Sequence, residues 1–436
     1  MRQYKKSIYN ILIPKEEKTY LWNTFSGVLL SLDCEGKAFY DGYEGENSNS
    51  PFFYTLLEQG CIVDSRLDEV GRVLFGEKSI MMNPFPPKQY YTIAPGLGCN
   101  YHCTYCFENE RTIFAKMTQD TQKALYSYIT NNAAQNKNLK GLYFTWFGGE
   151  PLLYLDIIET LGNRLMHYCQ ERGLQYYSGM ISNGRFLTRD AVIVLRKQKL
   201  MHLQISVDGT ESVYCDRKNA TAGDFKATID NIAYAADYLP ITVRINITKD
   251  DFQDALKLTE LLLKDRGLDG KIKVYVAHVR EYTRKRTTKE EHTLHRKFLQ
   301  FEGEYIKLFR KGGPYKLDSL GFREPKRRGT TCLSVCSANA CIGPEGELYQ
   351  CEHHFGRPEF VIGNIFDGAF YGENKQKYLT FAHYPKCKSC QMFPICLGGC
   401  MDDMINHRDI IDCKAYCQRL IELKFLKFEH MALSLT

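Results

Sequence analysis

The chain has 436 residues, of which 44% are hydrophobic, 25% charged and 13% aromatic, with a formal net charge of +6. This composition excludes disordered, collagen-like and coiled-coil chains, and the length suits about three domains at roughly 150 residues each. The small charge excess calls for neither a nucleic-acid nor a membrane partner, and no apolar run approaches the roughly 18 residues of a membrane span.

The basic head from Met1 to Lys18 has its apolar run broken at Asn10 and Pro14. It does not read as a signal peptide, so a cytoplasmic, reducing location is expected. Against that expectation, 17 cysteines are conspicuous. Ten fall between Cys332 and Cys417 and three between Cys99 and Cys106, a clustering that points to metal ligation rather than disulfides. Cys34, Cys61, Cys169 and Cys215 stand alone and read as small buried hydrophobes.

In chain order, residues 1–88 come first, as a small α+β domain. Tyr9–Ile13 and Gly27–Leu32 read as strands flanking a polar turn, with short helices near 50–59 and 66–74. Asn83-Pro-Phe-Pro-Pro-Lys88 reads as a linker, because proline continues neither ladder. Residues 89–312 alternate strand and helix. Strands are expected at Tyr90–Ala94, Leu142–Phe147, Tyr177–Ile181, Leu203–Val207, Ile241–Ile247 and Ile272–Val279. The intervening helices lie near 118–135, 154–172, 188–198, 224–238, 252–266 and 289–310. Six β/α units in a row predict a parallel α/β sheet, doubly wound or curled into an open barrel, with its chemistry at the strand C-terminal ends. Residues 313–436 are cysteine- and turn-rich up to a final helix near 414–432, and metal is expected to replace part of a missing core.

The first motif is Cys99-Asn-Tyr-His-Cys103-Thr-Tyr-Cys106, directly after the first strand of the α/β region. Three thiolates within eight residues can hold one face of a metal centre and leave one coordination position open, which catalysis needs. Zinc with His102 as a fourth ligand is one reading; an iron–sulfur cluster on three cysteines is the other.

The Cys-x3-Cys-x2-Cys spacing, with the aromatic Tyr105 before its last cysteine, resembles the radical S-adenosylmethionine (SAM) enzymes. That resemblance implies a partial (β/α)6 barrel and a [4Fe–4S] cluster on Cys99, Cys103 and Cys106. Gly148-Gly149-Glu150-Pro151 then corresponds to the loop that binds the methionine amino group. Ser182 and Asn183 end the third strand, Ser206 and Asp208 end the fourth, and Arg217 follows; these correspond to ribose and carboxylate contacts. Arg244 and Asn246 point the same way from the fifth strand and would border the adenosine.

The second motif runs Cys336-x9-Gly346-x4-Cys351, then Cys387-x2-Cys390-x5-Cys396-x3-Cys400, then Cys413. Alone, the run from Cys387 to Cys400 would also suit a structural zinc. Together these cysteines resemble the SPASM extension of radical SAM enzymes, which implies two auxiliary clusters and three [4Fe–4S] clusters in all. By that resemblance Cys336, Cys351 and Cys400 hold the first, with Cys332, Cys341 or substrate as fourth ligand. Cys387, Cys390, Cys396 and Cys413 hold the second, with Cys417 competing for the place of Cys413. The resemblance further implies S-adenosylmethionine as cosubstrate, an electron donor such as flavodoxin or ferredoxin, and hydrogen abstraction from a precursor peptide whose leader is captured by residues 1–88. Glu352, beside Cys351, corresponds to a proton acceptor in sulfatase-maturing relatives, and His353 and His354 are neighbours that could serve instead. The expected product is a thioether or carbon–carbon crosslink. The alternatives are formylglycine formation on a sulfatase and a non-enzymatic metal-binding protein. The basic patches Arg284-Lys-Arg286 and Lys326-Arg-Arg328 read as solvated loops or as a docking surface for an acidic peptide.

Overall fold

A computed structural model describes residues 3–15, 18–111, 114–247, 251–279, 288–322, 324–369, 372–406 and 411–431. The chain forms two compact units. The first joins Met1–Met82 to Glu324–Leu333 and Leu379–Asp409, so it draws on both ends of the sequence. The second contains Asn83–Arg323, Ser334–Tyr378 and Ile410–Thr436.

In the first unit, β1 (Tyr4–Lys6) pairs antiparallel with β5 (Ile62–Asp64), while β2 (Asn10–Lys15), β3 (Lys18–Asn23) and β4 (Leu29–Leu32) form an antiparallel meander. The sequence suggests only two strands here. Lys18-Thr19 gives β3 a polar start, but Leu21 and Trp22 are fully buried between its neighbours. Helices α1 (Cys34–Gly42), α2 (Pro51–Glu58) and α3 (Glu69–Met81) cover the sheet residues. Ser50 caps α2 through Phe52 N with Pro51 in the first turn, and Asp68 caps α3 through Gly71 N. The helix expected near 66–74 therefore starts later and runs longer.

One core of this unit is Leu21, Tyr40, Phe53, Leu56, Cys61 and Ile62. A second brings Tyr9 and Val73 against Cys387, Phe393 and Leu397 of the cysteine-rich stretch. Glu77 fastens these segments. Its carboxylate, 2% exposed, accepts from Thr331 N at 2.9 Å, from Thr331 Oγ1, and from His383 Nε2 at 2.6 Å. The basic patch at 284–286 lies outside the described residues; in the other, the Arg327 guanidinium stacks on Phe25 at 3.9 Å.

The second unit is built on a ten-stranded sheet. β6 (Lys88–Ile93), β7 (Gly141–Trp146), β8 (Gln175–Ser182), β9 (Leu200–Val207), β10 (Ile241–Ile247) and β11 (Lys273–His278) run parallel and in sequential order. The helices α4 (Gln119–Gln135), α5 (Leu155–Glu171), α6 (Arg189–Lys197), α7 (Glu211–Lys218), α8 (Ala222–Ala235), α9 (Phe252–Glu260) and α10 (Thr288–Lys307) lie in the crossovers and after β11. Thr118 and Thr188 cap α4 and α6, and Thr221 with Asp224 forms a capping box on α8. The sheet continues past β6 into β12 (Ala340–Ile342), which pairs parallel with it. An antiparallel extension of β13 (Glu347–Tyr349), β14 (Val361–Asn364) and β15 (Gly368–Ala369) follows. The cysteine-rich region thus adds strands to the same sheet. Helix α11 (Glu373–Thr380) follows, and a last helix, α12 (Cys413–Met431), packs on α10. Among the described residues no helix is long and apolar enough to cross a membrane.

Burial alone would raise the Glu77 carboxyl, but the hydrogen bonds from His383 and Thr331 outweigh it and hold the group below its usual range. Its stabilisation is therefore present above the unfolded carboxylate pKa and lost as pH falls through the lower folded value. At pH 7 Glu77→Ala should cost about 3–5 kcal/mol in urea unfolding, the usual loss when a buried pair is broken. The gap to wild type should close in acid. A loss under about 1 kcal/mol, within the net worth of one ordinary hydrogen bond, would show that the three segments hold together without this carboxylate.

Candidate functional site

The parallel strands place the loops after β6, β7, β8, β9 and β10 at one rim of the sheet. A cavity of about 580 Å³ opens there. Cys99, Cys103 and Cys106 line it, with Tyr105, Gly148, Gly149, Ser182, Asn183, Ser206, Arg244, Asn246 and Glu352. Of the residues matched to S-adenosylmethionine contacts, Glu150, Pro151, Asp208 and Arg217 do not line it, and neither do the cysteines assigned to auxiliary clusters.

The glycine pair is required by close approach. A Cβ on Gly149 would lie 2.2 Å from Gly98 O, and one on Gly148, at φ +114°, 2.4 Å from Gly96 O. The β7 loop therefore presses directly on the cysteine loop. Glu150 then turns inward. It is fully buried, and its Oε1 accepts from Leu152 N at 2.9 Å and Ser182 Oγ at 2.8 Å, while Oε2 accepts from Asn183 N at 2.7 Å. Asn183 Nδ2 donates to Asn100 Oδ1 at 2.9 Å and approaches Cys99 Sγ at 3.9 Å. Glu150, Ser182 and Asn183 thus act first on one another and on the cysteine loop.

A second network joins the β9 and β10 ends. Tyr105 Oη donates to Asp208 Oδ2 at 2.5 Å, and Asn246 Nδ2 donates to Asp208 Oδ1 at 2.7 Å. Arg217 is consumed by structure: Nη1 donates to Asp208 O at 2.8 Å and Asn246 O at 2.7 Å, and Nη2 pairs with Asp251. Its neighbour Lys218 lines the cavity instead, buried at the end of α7 with Nζ 3.6 Å from Asp208 Oδ2. Burial alone would lower the Lys218 ammonium, but Asp208 and the surrounding hydroxyls and thiol hold it above its ordinary range, so it is a fixed cation beside Cys103. Sequence reasoning passed over Lys218 because α7 is polar along most of its length. It also missed Gln204 and His278, which line the cavity from β9 and β11.

Burial pushes the thiols up, Cys99 to about 11 and Cys106 to about 12, with Cys103 also raised. Neutral thiols are poor ligands, so a metal centre must itself drive their ionisation. Among the described residues no three His, Cys, Asp or Glu side chains crowd around a single-ion position. The thiolates of a four-iron cluster bind different irons and stand further apart, and three thiols from one loop lining one cavity suit such a group. Glu352 follows Cys351 in a short turn, and burial raises its carboxyl. Beside it the His353 ring lies 4.5 Å from that of Phe107, which stacks on Phe147. Glu108 and Arg111 also line the cavity, as a 2.9 Å ion pair with both side chains 6% exposed; burial pushes Glu108 up to about 7.

The remaining cysteines divide between the units. Cys332, Cys387, Cys390, Cys396 and Cys400 belong to the first, and Cys336, Cys341, Cys351, Cys413 and Cys417 to the second. Cys61 and Cys169 are buried, Cys215 is partly buried and Cys34 is exposed.

Asp208→Asn should leave Lys218 buried without its counter-charge and lower the urea-unfolding free energy by about 3–5 kcal/mol, with Asp208→Asn/Lys218→Met recovering part of the loss. Additive single and double variants would show that the pair is not coupled.

Residues 93–262 match the model of the radical SAM superfamily. A cysteine-type anaerobic sulfatase-maturating enzyme of Clostridium novyi is 24% identical over 336 residues, 69% of this chain and 84% of that one. A PqqA peptide cyclase of Rhodopseudomonas palustris is 28% identical over 188 residues, 42% of this chain and 45% of the cyclase. The structure of anSMEcpe with bound AdoMet aligns with a TM-score of 0.58 at 18% identity, over 80% of this chain and 95% of that one. Streptococcus suis SuiB aligns with a TM-score of 0.53 at 16% identity, over 93% and 98%. These two likenesses establish a shared fold.

Proposed function

We propose that this chain, a radical SAM enzyme, acts on a ribosomally made precursor peptide and closes a thioether or carbon–carbon crosslink within it. The observation that carries this reading is the cavity at the strand ends, whose lining includes the three thiols and the half-buried Glu352. The peptide cyclase among the relatives supports a peptide substrate. The sulfatase-maturating relatives, which match more of the chain, support the second reading, formylglycine formation, to the same degree.

In this proposal Cys99, Cys103 and Cys106 hold a [4Fe–4S] cluster that, when bound, supplies the electron for cleaving S-adenosylmethionine to a hydrogen-abstracting radical. The chain does the rest. Glu150 fixes the loops after β7 and β8, so Ser182 and Asn183 meet the cosubstrate in a set position. Asp208 and Asn246 hold Tyr105 against the cavity, and Lys218 offers a fixed positive charge to a carboxylate. Glu352 takes the proton released when the substrate thiol or C–H is converted; its raised pKa makes it a stronger base once ionised. The barrel-like sheet, two auxiliary clusters in a SPASM extension, leader capture by the N-terminal segment and electron supply by a flavodoxin or ferredoxin belong to the same reading. The cysteine sets for those clusters are the ones given by resemblance, with Cys332, Cys341 or substrate as fourth ligand of the first.

Because Tyr9 and Val73 share a core with Cys387, and Cys390 packs against it, deleting residues 1–88 would open the core around two proposed ligands. Leader capture is therefore tested with the intact chain, by measuring whether isolated leader peptide competes with full-length precursor.

The two products differ in chemistry. Co-expression with a short cysteine-containing peptide encoded beside the gene should give a peptide that has lost two hydrogens and keeps its sulfur. Loss of sulfur from a sulfatase-derived peptide, with the neighbouring peptide untouched, would establish the second reading instead. Glu352→Gln should cut product formation by roughly 10²–10⁴-fold, the usual worth of a general base, while 5′-deoxyadenosine continues to form. The wild-type rate should rise as pH climbs through the raised pKa of Glu352. Unchanged product yield would remove Glu352 from the mechanism.

A further inference from the structure

Phe107–Glu110 forms a single 3-10 turn directly after Cys106, and the Arg111 N–H donates back to Glu108 O at 3.1 Å. The turn places two charged side chains, Glu108 and Arg111, in the lining of the strand-end cavity, each 6% exposed. Arg111 Nη1 meets Glu108 Oε2 at 2.9 Å, off the line of a hydrogen bond. Arg111 Nε and Glu108 Oε1 are buried as well, and among the described residues neither has a hydrogen-bond partner. The guanidinium lies 5.2 Å from the ring of Phe114, a cavity-lining residue that is 68% exposed. Neither charge takes part in the chemistry described above.

A buried ion pair is favourable only when the remaining donors and acceptors of both partners are filled. Here a donor and an acceptor stay open beside a cavity, and the hydration they gave up is not replaced. The group that fills them must bring an acceptor for Arg111 and a donor for Glu108. An amide brings both, through its C=O and its N–H. The adenine edge of S-adenosylmethionine also presents one of each. The position favours the peptide. The ring of Phe107, next to Glu108, lies 4.5 Å from that of His353, next to Glu352. This ties the turn that carries Glu108 to the segment that carries the proposed base. Asp208 and Asn246, by contrast, meet at the ends of β9 and β10.

We propose that Glu108 and Arg111 form a clamp for a main-chain amide of the substrate peptide, close to the residue that reacts. This rests on a peptide being the substrate, which the crosslinking and formylglycine readings share. Arg111 donates to the amide oxygen, and Glu108 accepts from the amide N–H. The clamp reads no side chain. It sets the register of the backbone, and with it the carbon that faces the radical. A site that buries open polar groups discriminates strongly against a ligand that leaves them open.

The test uses the iron-loaded full chain with S-adenosylmethionine and dithionite. The probe is the cysteine-containing peptide encoded beside the gene or a sulfatase-derived peptide, whichever the wild type converts. In one arm the peptide carries a single ester in place of an amide, moved residue by residue around the reacting one. The ester keeps the carbonyl and lacks the N–H. At one position it should raise the KM of the wild type for peptide by roughly 10–100-fold, the worth of a hydrogen bond to a charged group. In the other arm Glu108→Leu/Arg111→Met removes both charges together, so that no buried charge is left alone. Its KM for the all-amide peptide should rise by a similar factor. The same ester should then cost it less than about threefold, and its KM for S-adenosylmethionine should stay within about threefold of wild type. If the double variant loses iron, Arg111→Lys takes its place. It keeps a cation beside Glu108 and removes Nε, so the peptide KM should rise while the ester penalty, which reports on Glu108, remains.

An ester effect of equal size in the wild type and in Glu108→Leu/Arg111→Met, or no sensitive position at all, would overturn the proposal. So would a raised KM for S-adenosylmethionine with that for peptide unmoved, which would assign the pair to adenine. Failure of the peptide reading is seen in the wild type alone. Iron-loaded protein that cleaves S-adenosylmethionine and converts neither peptide has no peptide to clamp, and the proposal falls with it.

Discussion

The site depends on one buried carboxylate. Glu150 sits in the loop after β7 with no exposure, and its two oxygens accept from Ser182 Oγ and Asn183 N at the end of β8. Its own N–H donates to Gly98 O at 2.9 Å, so the same residue anchors the cysteine loop. Parallel strands only bring loops to a common rim; they do not fix how those loops face each other. Glu150 supplies that fix in an interior where an unpaired carboxylate would be prohibitive. The glycines before it are the steric condition for this arrangement, since any side chain at Gly149 would strike the backbone of Gly98.

What was legible in the sequence follows from this. Strands β6 to β11 are short apolar runs bounded by helix caps, and their order in the sheet is their order in the chain. The cysteine spacing and the motifs at the ends of β7 to β10 could be read because each belongs to one loop. Helix α7 was not legible, as a short polar segment with little apolar periodicity, and Lys218 was hidden with it. Arg217, the residue singled out in this helix, does not line the cavity, whereas Lys218 beside it does. The Arg217 guanidinium is spent on two backbone carbonyls and Asp251, a role visible only once β9, β10 and the loop after β10 are in place.

The first unit shows a different limit. Nothing in the local sequence of residues 1–82 announces a partnership with residues more than 240 positions away, yet Glu77 receives hydrogen bonds from Thr331 and His383. The same holds for Asn10, whose carbonyl accepts from Gln391 Nε2. Cysteine-rich chain with few apolar residues cannot build a core alone, and here Tyr9 and Val73 supply one around Cys387. The N-terminal segment thus has a structural duty toward proposed ligands in addition to any duty toward a peptide.

In the proposed function, Cys99, Cys103 and Cys106, with Lys218 in the same cavity lining, form the site of reductive S-adenosylmethionine cleavage. Anaerobic, iron-loaded protein should be mixed with S-adenosylmethionine and dithionite, and 5′-deoxyadenosine and methionine quantified together. Both products should appear in equal amounts, and Cys103→Ala should abolish both. Iron-loaded protein that binds S-adenosylmethionine and releases neither product under reduction would contradict that proposal.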